Sequence, residues 1–92
     1  MWNPFTGMEG QVIYLEGSLW QYVGRVEGVE HDATGICWVE LSGTWQLFGE
    51  SKDGPDEGEQ RRIGRVRIPH TQVCALQLAK ERWPDWEKPE NE

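Results

Sequence analysis

Hydrophobic positions along the chain come in short bursts divided by Gly, Asp and Pro, and within the bursts they recur at two residues rather than at 3.6. Residues 11–15 (QVIYL) are apolar at nearly every position, as expected of a strand covered on both faces. A turn at 16–18 (EGS) leads into 20–29, where Trp20, Tyr22, Gly24 and Val26 fall on one face and Gln21, Val23, Arg25 and Glu27 on the other. Gly24 and Gly28 predict sharp bending or a bulge there. After a turn at 30–35 (EHDATG), residues 36–41 form a third strand, which 42–48 (SGTWQLF) either extends or follows with a short strand of its own.

The pattern then breaks. Residues 49–60 (GESKDGPDEGEQ) hold five acids, one Lys and no large apolar side chain, which predicts a flexible loop or hairpin tip. Residues 61–68 alternate again and form a half-exposed strand. Pro69 lacks a ladder donor, so 69–71 predict a single helical turn before a last strand at 73–78. The outer segments are polar and Pro-broken. Residues 1–9 read as a leader pinned by Trp2 or Phe5, and 79–92 as an irregular tail with a short helical turn at 79–83. The expected architecture is therefore all-β. It is a small, strongly bent five-stranded barrel over residues 10–78, with a long acidic loop before the fourth strand.

Size and composition sharpen this outline. A single domain of 92 residues hides only about 60–65% of its unfolded surface, so its six tryptophans, each able to bury about 150–250 Å², matter to the core. Cys37 and Cys74 lie in apolar runs and read as core thiols of a reduced, cytoplasmic protein. No secretory signal or membrane-spanning run is expected.

Charge is uneven. The net value is −7, yet residues 61–82 hold six bases and one acid, whereas residues 1–60 hold eleven acids and two bases. Arg61, Arg62, Arg65 and Arg67 crowd into seven positions. On a regular strand Arg61, Ile63, Arg65 and Arg67 would share one face with successive positions about 6.6–7 Å apart, an arrangement of guanidinium groups suited to phosphates or carboxylates. The alternative is pairing with Glu27, Glu30 or Glu40, within one subunit or across a subunit boundary. Trp83 and Trp86 are candidates for docking on the chain's own barrel or on a partner.

Other chemistries fit less well. His31, Cys37, His70 and Cys74 nominally make a zinc set, but their spacing matches no zinc knuckle. No Cys/His/Asp or Ser/His/Asp order is present, and both histidines are placed in turns, so no catalytic site is expected. Asp53, Asp56, Glu57 and Glu59 lack the alternation of a calcium loop. No cofactor, membrane partner or small-molecule substrate is expected.

The strand order resembles the Sm and Sm-like family, within the wider group of SH3-like small barrels. The residues that carry the resemblance are Val12 to Leu15, Gly17, the bent stretch Tyr22-Val23-Gly24-Arg25-Val26, Asp32, and Ile36 to Leu41. A second stretch follows, with Val66 to Ile68, a turn at Pro69 to Thr71, and Val73 to Leu76. The resemblance implies ring formation, with the fourth strand of one subunit pairing with the fifth of the next. Members of that family that bind uridine-rich RNA read it with an Asp and an Asn in one turn and with an Arg-Gly pair in another. Asp32 matches the first position. Gly35 stands near the Asn position without a side chain, and Pro69 and His70 stand where Arg-Gly would be. The expected function is thus a non-enzymatic, homo-oligomeric protein-binding module. The alternatives are a single-stranded RNA binder that uses Arg61, Arg62, Arg65, Arg67, Asp32 and His70, and an acidic decoy for a nucleic-acid-binding protein.

Overall fold

The computed structural model describes residues 3–49, 53–56 and 58–86. Five antiparallel strands form one sheet in the order β4-β3-β2-β1-β5. They are β1 (Val12–Glu16), β2 (Gln21–His31), β3 (Cys37–Leu47), β4 (Gln60–Pro69) and β5 (Ala75–Leu78). A 3₁₀ turn, His70–Gln72, joins the last two, and a one-turn helix α1 (Ala79–Arg82) follows β5 directly. The third strand absorbs 42–47 as one continuous element. Among the described residues no helix is long and apolar enough to cross a membrane. The sheet is bent but does not close, since β4 and β5 pair only with β3 and β1 respectively.

β1 is covered on both faces. Ile13 and Leu15 enter an inner cluster with Phe5, Val26, Val39, Leu41 and Ile68, while Tyr14 enters a second cluster with Val23, Leu47, Ala79 and Trp83. The second cluster lies on the opposite face of the sheet. It is roofed by Ala79 of α1 and by Trp83 and Trp86, the large apolar side chains of an otherwise polar tail.

Two irregularities decide which residues reach which cluster. The register of β2 against β3 shifts between Val26 and Gly28, and Val29, which strict alternation would turn away, packs on the inner cluster with Val26. The β3–β4 register shifts between Leu41 and Thr44, where Gly43 adopts φ +57°. Val39 and Leu41 therefore face inward, whereas Trp45 and Leu47 serve the second cluster, although all four are odd-numbered. A bulge adds one residue to one strand and so reverses the faces beyond it.

Gly24 lies against β3 with no room for a side chain. A Cβ there would lie 2.9 Å from Thr44 Oγ1 and 3.0 Å from Leu41 Cβ. Gly17 plays the matching role in the β1–β2 turn, because the Trp20 indole lies directly on its Cα.

From Asn3 to Gly10 the chain packs against the inner cluster through Phe5 and Met8. Asn3 Oδ1 accepts from Phe5 N (2.9 Å), and Phe5 is fully buried at the end of the inner cluster. Trp2 lies outside the described residues. The acidic loop differs from expectation in its middle. Gly54 and Pro55 are buried, and Gly54 abuts the Trp86 indole closely enough that a Cβ would come within 2.6 Å of Cδ1. This part of the loop packs against the tail instead of standing free in solvent.

Candidate functional site

The arginines of β4 do not form a single ladder. Gly64 has φ +75° and the β3–β4 register shifts again between Thr44 and Trp45, which interrupts the alternation between Arg61–Arg62 and Arg65–Arg67. Arg65 Nη1 donates to Glu40 Oε1 at 2.6 Å. Arg67 donates to Glu30, and its guanidinium lies 4.5 Å from the centre of the Trp38 ring. Arg62 lies 4.6 Å above Trp45, and Arg61 is exposed.

These contacts follow from strand pairing. Glu40 faces Arg67, and Trp38 lies between Glu30 and Pro69, so acid, indole and guanidinium meet as cross-strand and diagonal neighbours. Each is a surface contact. An exposed ion pair contributes about 0–1 kcal/mol and an exposed cation–π contact about 0.5–1 kcal/mol. Two of the three acids expected as partners, Glu30 and Glu40, are the ones used. The third, Glu27, accepts instead from Ser42 Oγ at 2.7 Å.

Asp32 and His70 are also engaged within the chain. Asp32 Oδ1 accepts from Thr34 N (2.8 Å), Thr34 Oγ1 and Ile36 N (3.1 Å), while Oδ2 accepts from Trp38 Nε1 (3.0 Å). Asp32 is therefore the organiser of the β2–β3 turn and not an open ligand group. The Thr34 hydroxyl, then Trp38, hold its carboxyl well below the usual carboxylate range. His70 Nδ1 accepts from Cys37 N at 3.0 Å and so ties the 3₁₀ turn to the start of β3.

Acid should act on the Asp32 turn with a defined sign. A carboxyl whose folded pKa is depressed stabilises the fold above its ordinary value of 3.8, and that contribution is lost as pH falls below it. Asp32→Asn is expected to lower the melting temperature at pH 7 and to narrow the gap from wild type between pH 4 and pH 2. Thermal melts over that range check it, and a pH-independent gap would count against the assignment.

The tail residues divide. Trp83 is buried in the chain's own second cluster, edge-on to Tyr14 at 5.9 Å, and is therefore not a partner-docking residue. Trp86 is half-buried, edge-on to Trp83 at 6.3 Å. The Arg82 guanidinium lies 4.2 Å from the centre of the Tyr14 ring and 5.4 Å from that of Trp83. Burial, and then donation to Glu16 Oε1 at 2.6 Å, push the Tyr14 hydroxyl up to about 12.

Cys37 is buried, but Cys74 is exposed, contrary to the expectation of two core thiols. His31 ends β2 as an exposed strand residue and not in a turn. Among the described residues no three His, Cys, Asp or Glu side chains converge to hold an ion. Sequence reasoning missed Trp38 and Trp45 as the platforms for Arg67 and Arg62, and Tyr14 as the one for Arg82. The strand-pairing register, once known, would have identified the first two.

No family model matches the chain, and no curated protein is significantly similar to it. Among solved structures, it resembles a chain of one described as the crystal structure of the NatC complex bound to CoA. The TM-score is 0.56 with 18% identity, over 88% of this chain and 91% of that one. At that identity the likeness concerns the fold alone.

Proposed function

We propose that this chain is a non-enzymatic interaction module of the Sm-like kind that assembles with copies of itself through its strand edges. The observation that carries the reading is the strand order. β4 and β5 are the two end strands of a bent sheet, and among the described residues neither has a neighbour on its outer side. An unpaired edge presents a row of backbone donors and acceptors that another strand can satisfy. The Sm-like resemblance implies a ring closed by these same two strands. The engagement of Asp32, His70, Arg65 and Arg67 within the chain favours assembly over ligand reading.

Size-exclusion chromatography with light scattering tests this. The expected mass is a small multiple of 10.6 kDa at tens of micromolar, and a clean monomer would overturn the proposal.

RNA binding is the second reading, favoured by the guanidinium–indole pairs Arg62–Trp45 and Arg67–Trp38, since bases stack on such surfaces. The −7 net charge opposes it. Binding of a uridine-rich oligomer that weakens steeply with salt and disappears in Arg65→Glu/Arg67→Glu would support it. Absence of binding at low salt would reject it.

A further inference from the structure

Trp86 meets a part of the chain that is distant from it in sequence. Gly54 and Pro55, between β3 and β4, are buried, Pro55 completely. A Cβ on Gly54 would lie 2.6 Å from Trp86 Cδ1 and 3.1 Å from Cγ, so the loop backbone rests directly on the indole. Gly54 also has φ +148°, a conformation that residues with side chains rarely adopt.

The two tail tryptophans are held unequally. Trp83 is locked into the second cluster against Tyr14. Trp86 is only half-buried, and its backbone N donates to Trp83 O at 3.1 Å. Trp83 is the anchor, and Trp86 reaches out from it to the loop.

Two features weaken this outer contact. The Trp86 Nε1–H is buried, and no acceptor meets it among the described residues. The Asp56 carboxylate lies over Gly54, 3.0 Å from where a Cβ would stand, without accepting from the indole. A donor in that state forfeits a hydrogen bond to water, and exposure recovers it. Trp86 also borders a hollow of about 270 Å³ lined by Gln11, Val12, Leu78, Ala79 and Lys80, so part of the ring lacks close packing.

We propose that Gly54, Pro55 and Trp86 form a clasp that opens as one unit while the five strands and Trp83 stay in place. The closed state stores the Trp86 indole against the chain's own loop, and opening releases both together. The clasp contains no residue of β4 or β5, so it stands or falls apart from assembly through those strands.

Hydrogen exchange followed by NMR on the full chain tests this. The Trp86 indole N–H and the Gly54 and Trp86 amides are expected to exchange together, about a hundredfold or more faster than the amides of β1 and β2. Gly54→Ala should speed exchange at Trp86 about tenfold, and Trp86→Ala should do the same at Gly54, with β1 and β2 unaffected. At the Asp56 amide the double variant should exchange little faster than either single one, because a single unit opens only once. Replacing Trp86 by benzothienylalanine keeps the bicyclic shape and puts sulfur where the indole has N–H. The clasp should then hold more firmly, and the Gly54 amide should exchange about fivefold or more slowly. Exchange at Gly54 that ignores Trp86→Ala, additive effects in the double variant, or equal acceleration of β1 and β2 overturns the proposal. Unchanged or faster exchange in the benzothienylalanine protein overturns it too, since the buried N–H would then not be what weakens the clasp.

Discussion

Trp83→Ala is expected to cost about 3–5 kcal/mol, the range for deleting a buried large aromatic side chain. Trp83 is only 3% exposed and is the largest side chain in the second cluster, where it covers Tyr14 edge-on and supports Trp86. Its removal would open the face on which Val23 and Leu47 depend. It would also unseat the stretch that buries Gly54 and Pro55. Trp86 cannot compensate, because its indole Nε1 is already buried without a hydrogen-bond partner among the described residues. Urea unfolding measures the loss, and the melting temperature should fall by more than about 10 °C. Trp83→Phe should recover part of it. A loss below about 1 kcal/mol would mean that the tail contributes nothing to the fold.

Phe5→Ala is expected to cost a similar amount, about 3–5 kcal/mol, from the other face of the sheet. Phe5 is fully buried against the inner cluster, and its backbone is fixed by the Asn3 carboxamide and by Met8 N donating to its carbonyl. The two residues belong to separate clusters, so their losses should add. Against the roughly 5–15 kcal/mol that stabilises a typical domain, the double variant should be largely unfolded at 25 °C. Circular dichroism of the three variants checks this. A double variant no worse than either single one would show that the clusters form one unit.

Much of this architecture is legible in the chain. The continuous apolar run Val12 to Leu15 states in advance that β1 is covered on both sides, and period-2 alternation places Trp20, Tyr22 and Val26 together. Pro69 ends β4 for a reason visible in its own ring. The Gly43 bulge is different, because one extra residue changes no composition yet reverses the destinations of Trp45 and Leu47. For the same reason the arginine ladder, reasonable on a regular strand, does not survive Gly64. The Asp32 turn was available to sequence reasoning. An Asp two residues before Thr and three before Gly is a side-chain-to-backbone turn on its face. Pairing of Arg65 with Glu40 and of Arg67 with Glu30 needed the register, which no local pattern contains.

The position of β1 between β2 and β5 has a consequence for how the chain acquires its structure. β1, β2, β3 and β4 form a run of sequence neighbours that can pair in the order in which they are made. The other side of β1 must wait for Ala75–Leu78, with everything else already in place. A growing chain therefore carries an exposed β1 edge until Ala75–Leu78 emerges. Closing that long loop is expected to be the entropically costly step. β5, α1 and Trp83 arrive together in a single short piece, so one late event completes the sheet and roofs its second face.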